Sequence, residues 1–278
     1  MNITHAHTFG IIGGRGRTGT QFARMLRKAG FRVLVTGAAD SHRNPTLLKK
    51  CDVVIFAVPL DVSVDIIRDT LRHATRRDQL ILDVSSLKTE QVRAMLGAKG
   101  EVIGMHPLFG PASEPTGPVI LCPGRAKPQT LVSLKKLLVS LGLRAIVMTP
   151  LAHDRLMGYV QAMPHCKSLL MADLLMASKA DLDIITRSCT PTYQLEFNVI
   201  GRFLDDDPAL YMPIIFGNPA TLPMLKKLKG IVEDYIQIAS SANLVRASQR
   251  YALAKAYFGK HTRRARAQSE DCIRVLSK

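Results

Sequence analysis

The residues best placed for chemistry sit in Ile103-Gly104-Met105-His106-Pro107-Leu108-Phe109-Gly110-Pro111, a histidine between apolar runs and a Pro/Gly turn. A histidine at such a position, behind a glycine-rich loop and a Ser-Leu-Lys turn, is placed for the chemistry of a hydride-transfer site, with a satisfied core histidine the alternative. Ahead of it stands Asp83-Val84-Ser85-Ser86-Leu87-Lys88. Ser86 either bonds a substrate oxygen or caps the following helix, with Glu90 near enough to assist the first turn. Lys88 is a cation for an anionic substrate or a structural anchor. Cys166, beside His165, reads as a small apolar filler rather than a nucleophile.

Further upstream lies Gly13-Gly14-Arg15-Gly16-Arg17-Thr18-Gly19. Gly14, Gly16 and Gly19 fit G-x-G-x-x-G, between an apolar strand and an amphipathic helix. Such glycines allow a tight turn, close approach of a pyrophosphate and packing of helix on strand. The helix start adds N–H groups and partial positive charge for phosphates. The segment from Gly14 through Arg15, Gly16, Arg17 and Thr18 to Gly19 is therefore a candidate dinucleotide cradle. The acid expected at the end of the next strand, where it would bind the ribose hydroxyls of NAD, is replaced by Val35-Thr36-Gly37, and Asp40 comes late. Thr36, Ser41, His42 and Arg43, helped by Arg15 or Arg17, suit a 2′-phosphate. This favours NADP over NAD, with Arg43 as a plain solvated charge the alternative.

These groups need elements to hold them. Phe31 to Thr36, Asp52 to Val58, Gln79 to Val84, Val102 to Met105, Val119 to Leu121 and Ala145 to Met148 read as strands alternating with helices. The pattern predicts an α/β fold with a doubly wound parallel sheet of the Rossmann type over residues 1–150. Ligands in such sheets collect at the carboxyl ends of the strands, where Pro59, Ser86, Lys88 and His106 fall. After Thr149-Pro150 the character changes. Leu151 to Met176, Asp181 to Leu204, Leu222 to Ser241 and Leu244 to Leu276 are helical, broken at Pro191, Pro208, Pro213 and Pro219. Residues 151–278 are thus expected to form an all-helical domain.

Composition agrees. The 278 residues, 47% hydrophobic, suffice for two domains. No apolar run reaches membrane-spanning length, and no basic segment with a long apolar core opens the chain, so a soluble cytoplasmic protein is expected. Five scattered cysteines without C-x-x-C spacing argue for free thiols and against structural zinc. The formal charge of +16 raises nucleic acid as a partner. The chain has no Trp, 5% aromatics and no stacking pattern among Lys255, Lys260, Arg263, Arg264 and Arg266, so a solvated face that attracts anionic small molecules is the better reading.

The glycine loop, the Ser85-Ser86-Leu87-Lys88 turn, His106-Pro107-Leu108-Phe109-Gly110-Pro111, His153-Asp154, Pro164-His165, and Gly201-Arg202 through Asp207-Pro208-Ala209-Leu210-Tyr211 occur in this order along nearly the whole chain. In that order they resemble the prephenate dehydrogenases. The resemblance implies oxidative decarboxylation of prephenate to 4-hydroxyphenylpyruvate, or of arogenate to tyrosine, with NAD or NADP in tyrosine biosynthesis. It implies His106 as the catalytic histidine, Ser86 as the serine that orients it, and Arg202 as the carboxylate-binding arginine, a task suited to a planar guanidinium. It places His165 and Tyr211 in the substrate pocket. His153 with Asp154 is a supporting pair or a helix-start feature. A monofunctional homodimer is implied, with residues 151–278 as its substrate-binding and dimerisation domain. Two other readings stand beside it: a β-hydroxyacid dehydrogenase, which needs a catalytic lysine in the helical half, and a noncatalytic nucleotide- or nucleic-acid-binding protein.

Overall fold

A computed structural model describes residues 1–73, 75–110 and 115–276; Pro111, the end of the histidine motif, lies outside them. The chain forms two compact units, residues 1–159 and 160–278.

The first unit is built on seven strands: β1 (Thr8–Ile12), β2 (Arg32–Thr36), β3 (Val53–Phe56), β4 (Leu80–Asp83), β5 (Glu101–Pro107), β6 (Gly117–Arg125) and β7 (Leu143–Val147). Their spatial order is β2-β1-β3-β4-β5-β6-β7. The helices are α1 (Arg17–Lys28), α2 (Asn44–Lys50), α3 (Leu60–Leu71), α4 (Thr89–Met95), α5 (Pro128–Ser140) and α6 (Pro150–Met157). Central strands covered on both faces must be apolar at every position, and Val53-Val54-Ile55-Phe56 is buried throughout. Val53 and Ile55 join Phe22 and Leu26 of α1 in one core, whereas Val54 and Phe56 join Leu47, Leu48 and Ile67 in the other.

The all-parallel expectation fails at one pair. β6 runs antiparallel to β5, with His106 opposite Ile120 and Gly104 opposite Cys122. The connection from Pro107 to Gly117 is too short for the crossover, usually helical, that a parallel neighbour requires. β7 is again parallel to β6, reached through α5.

The first unit also extends past the expected boundary at 150. Thr149 caps α6 by accepting the Ala152 N–H at 3.2 Å. The next residues of α6, His153 and Asp154, bond to side chain and backbone of the first unit, which ties the helix there.

The second unit is helical: α7 (Met163–Ala177), α8 (Leu182–Ser188), α9 (Pro191–Asp205), α10 (Pro208–Phe216), α11 (Thr221–Ser240), α12 (Leu244–Phe258) and α13 (His261–Leu276). The continuous helix expected over Leu244 to Leu276 is two, because Gly259 breaks it at φ +50°. Asp181 to Leu204 likewise divides ahead of Pro191, with Thr190 capping α9 through the Tyr193 N–H.

Gly19 tests how α1 packs on the glycine loop, since a Cβ there would lie 2.3 Å from Gly13 O and 2.7 Å from Gly14 Cα. Gly19→Ala is expected to destabilise the protein by about 1–3 kcal/mol, the usual cost of overpacking, read as a lower urea midpoint at unchanged m-value. An unchanged midpoint would show that helix and loop do not need this contact.

Candidate active site

The glycine loop joins β1 to α1. Gly14 N–H donates to Thr36 O at 2.8 Å and Gly16 N–H to Gly13 O at 3.0 Å, which curls the loop against the end of β2. Gly13 has φ +79°, and a Cβ on it would collide with Ala57 O at the end of β3. At Gly16 a Cβ would meet only Gly13 O, at 3.3 Å, so this side of the loop is left open. No side chain caps α1, and its first turn holds no acid. An open turn leading into an uncapped helix start, its partial positive charge unopposed by an acid, fits a dinucleotide pyrophosphate.

Around the ribose end the structure corrects one assignment. Thr36 is buried, and its hydroxyl donates to Asn44 Oδ1 at 2.6 Å, so it stabilises the strand end instead of facing a 2′-phosphate. Arg15 lies across Gly37 and pairs with Asp40 at 2.8 Å. Asp40 also accepts the Gly37 N–H at 2.6 Å, and this bond, with Arg15 beside it, lowers its pKa. The late acid therefore serves the loop's own backbone and Arg15. Arg17 and Arg43 are exposed, and Thr18 is half-buried in the first turn of α1.

At the end of β5 the chain builds a buried polar cluster. Asp154 Oδ1 accepts from His153 Nδ1 at 2.8 Å and from Lys88 N–H at 2.8 Å, while Oδ2 accepts the Thr89 N–H at 2.9 Å. His153 Nε2 lies 2.8 Å from His106 Nδ1. A carboxylate only accepts, so the hydrogen of His153 sits on Nδ1 and its lone pair on Nε2. His106 must then donate from Nδ1 and carry its own lone pair on Nε2. His106 is 3% exposed and His153 0%. Burial, then the neighbouring His153 and Lys88, hold the His106 pKa well below 6.5, so it stands neutral. Burial also lowers the His153 pKa, against the pull of Asp154. For Asp154 burial pushes upward, but hydrogen bonds from His153, Thr89 and Lys88 outweigh it and keep the group ionised.

Lys88 proves to be the anchor of the two roles open to it, not a substrate cation. It is fully buried, ion-paired to Asp83 at the end of β4, and donates to Met105 O at 2.8 Å, one residue before His106. Ser85, not Ser86, bonds Asp83 and the Leu87 carbonyl. Ser86 does not cap α4, whose start is held by Asp154; it is half-buried and forms no hydrogen bond among the described residues. Glu90 pairs with Arg93 on the surface at 2.9 Å. Opposite Gly104, the Cys122 thiol is pushed up to about 12 by burial and stays protonated.

In the second unit, His165 of α7 stacks on Phe203 of α9 at 5.7 Å and 14°, and packs against Tyr211 of α10 at 4.6 Å. Tyr211 donates its hydroxyl to Asp206 at 3.0 Å. Burial lowers the His165 pKa, leaving a neutral ring. Cys166 is buried with Phe203 and Ile215, the filler position expected of it. Arg202 is exposed and forms no ion pair among the described residues. The sequence reading passed over Phe203 and Asp206; the aromatic contact arises only when three helices meet.

Fold and site together define a class: a dinucleotide-binding α/β unit with a buried neutral imidazole at its strand ends, followed by a helical unit. Family models agree. Prephenate dehydrogenase, nucleotide-binding domain, matches residues 22–147, and prephenate dehydrogenase, dimerization domain, matches 149–256. A "T-protein" of Enterobacter agglomerans is 27% identical over 95% of this chain. A "Probable arogenate/prephenate dehydrogenase" of Methanocaldococcus jannaschii is 30% identical over 97%. The chain spans 71% and 65% of those relatives' own lengths. A prephenate dehydrogenase of A. aeolicus, solved with hydroxyphenyl propionate and NAD+, shares the fold at TM-score 0.69 and 18% identity, over 93% of this chain and 100% of that one. Synechocystis arogenate dehydrogenase aligns at TM-score 0.67 and 20% identity, over 91% and 100%. The chain belongs to the prephenate dehydrogenase family.

Removing the Lys88 ammonium strands the buried Asp83 carboxylate. Lys88→Met is expected to cost about 3–5 kcal/mol, the scale for breaking a buried pair, and Asp83→Leu in the same chain to restore part of it. Urea unfolding of both variants checks this, and equal losses in the single and double variants would refute the pairing.

Proposed function

We propose that this chain catalyses nicotinamide-dependent oxidative decarboxylation of prephenate to 4-hydroxyphenylpyruvate, with arogenate as the alternative substrate. The observation that carries the reading is the chain Asp154 to His153 to His106, which leaves a neutral imidazole with its lone pair on Nε2 at the carboxyl end of β5. A nicotinamide cofactor, held by the glycine loop and the start of α1, would supply the hydride acceptor for the ring carbon that bears the hydroxyl. His106 accepts the hydrogen bond of that hydroxyl, draws off its proton as the hydride departs, and returns it to the phenolate left when carbon dioxide leaves and the ring aromatises. Ser86 orients the hydroxyl. Arg202 binds a substrate carboxylate, while His165 and Tyr211 shape the pocket of the helical unit.

The glycine loop holds the pyrophosphate and α1 supplies its N–H groups. We favour NADP, because Asp40 is engaged by Gly37 and Arg15, and Arg43 stands exposed a few residues beyond the end of β2. The assembly we infer is a homodimer through the helical unit, whose exposed Ile231, Val232, Tyr235, Ile236, Leu244 and Val245 form apolar surface in need of cover. Among the described residues no helix is long and apolar enough to cross a membrane.

Purified protein assayed with prephenate and arogenate, each with NAD and NADP, is expected to reduce the nicotinamide with at least one pair; silence in all four would overturn the proposal. His106→Asn should lower kcat at least about 100-fold with cofactor affinity kept. His106 acts as a base and its pKa is lowered, so kcat/KM should hold through neutral pH and fall only below pH 6.5, as the ring protonates in its setting of His153, Asp154, Lys88 and Asp83. An acid limb above 6.5 would assign the base elsewhere. Arg43→Ala should raise KM for NADP about tenfold with that for NAD unchanged, the scale of one lost charge-assisted hydrogen bond; equal changes for both would refute the 2′-phosphate contact.

A further inference from the structure

Two residues of α6 reach the base without needing to touch substrate. From their geometry we infer that His153 and Asp154 are positioning residues: Asp154 fixes the tautomer of His153, His153 fixes that of His106, and the same carboxylate locks the start of α4 to this assembly. This rests on the reading of His106 as the base, and it goes beyond it by giving the lone pair a cause.

A neutral imidazole has two tautomers of similar energy in water, and only one presents Nε2 as an acceptor. At the end of β5 that choice is made 2.8 Å away, by an acceptor on His153 whose own hydrogen is held by Asp154 at 2.8 Å. All three groups are buried, so no water stands in for a missing partner. Asp154 Oδ1 is shared between the His153 ring and the Lys88 N–H, and Oδ2 takes the Thr89 N–H. The imidazole pair and the turn carrying Ser86 are thus hung on one carboxylate. Lys88 closes the ring of contacts by holding Met105 O, so the backbone at His106 is fixed from the other side. Loss of Asp154 would disturb the α4 start as well as the tautomer, so His153 is the residue to change.

His153→Phe keeps an aromatic ring and removes the acceptor; His153→Gln puts a carbonyl near the position of Nε2. The tautomer is read by long-range proton–nitrogen NMR of the histidine rings, with the His106 signals assigned by their absence in His106→Asn. Wild type is expected to show His106 protonated at Nδ1 and bare at Nε2. His153→Phe should give a mixture of tautomers and a kcat about 10- to 100-fold lower, the range for loss of an orienting partner, with cofactor KM unchanged. His153→Gln should recover most of both. His106 protonated at Nε2 in the wild type would overturn the inference, as would wild-type tautomer and kcat in His153→Phe. The wild-type spectrum decides the matter even if His153→Phe fails to fold. It also separates this inference from the functional reading: a protein silent toward both substrates but with the stated tautomer refutes the reaction and keeps the relay.

Discussion

The site depends on one buried carboxylate. Asp154 accepts hydrogen bonds from an imidazole and two successive backbone N–H groups, in a place from which water is excluded. An ionised carboxylate there costs several kcal/mol of lost hydration, and charge-assisted bonds of this kind are what make it tolerable. A buried charge pair, Lys88 with Asp83, adjoins it through the Lys88 N–H and holds the carbonyl of Met105. Apolar residues would fill the same volume at less cost. What they would not do is hold the His153 ring against His106, the contact on which the proposed role of His106 as a base rests.

The sheet supplies the rigid frame for this arrangement. β4 ends at Asp83, β5 at Pro107 and β1 at Ile12, so the ion pair, the imidazole and the glycine turn share the carboxyl edge of adjacent or nearly adjacent strands. The antiparallel β6 pairs with β5 along residues 102–107 and pins its last residues, His106 included, from the side away from β4. A parallel edge at this place would have needed a crossover through the region that follows Pro107. The two cores on either face leave the strands no freedom to slip, since a shift of one residue would turn Val54 and Phe56 into the wrong core.

The helical unit follows different physics. Its buried core is small, centred on Cys166, Phe203 and Ile215, while long helices keep large apolar side chains exposed. Such a unit is short of cover by itself, in keeping with the dimerization domain that its family model describes. The aromatic group of His165, Phe203 and Tyr211 joins three helices through ring contacts, which hold a neutral histidine in place without a counter-charge.

Much of this was legible in the residues. Continuous apolar runs bounded by glycine and proline define buried parallel strands, and three glycines at fixed spacing between strand and helix define the nucleotide turn, because only glycine fits where Gly14 and Gly19 approach backbone. His106 at a strand end was visible for the same reason. Tertiary structure alone decided the rest. It turned Thr36 inward to Asn44, buried Lys88 as an anchor, gave the α4 cap to Asp154 in place of Ser86, and moved α6 into the first unit. The contacts that assemble the site, Lys88 with Asp154 and His106 with His153, join residues far apart in sequence, and local pattern carries no information on which buried polar groups will meet. The sequence by itself determined the elements and the residue types at their ends. Only packing determined the partner of each polar group and, through the partner, the state in which it is held.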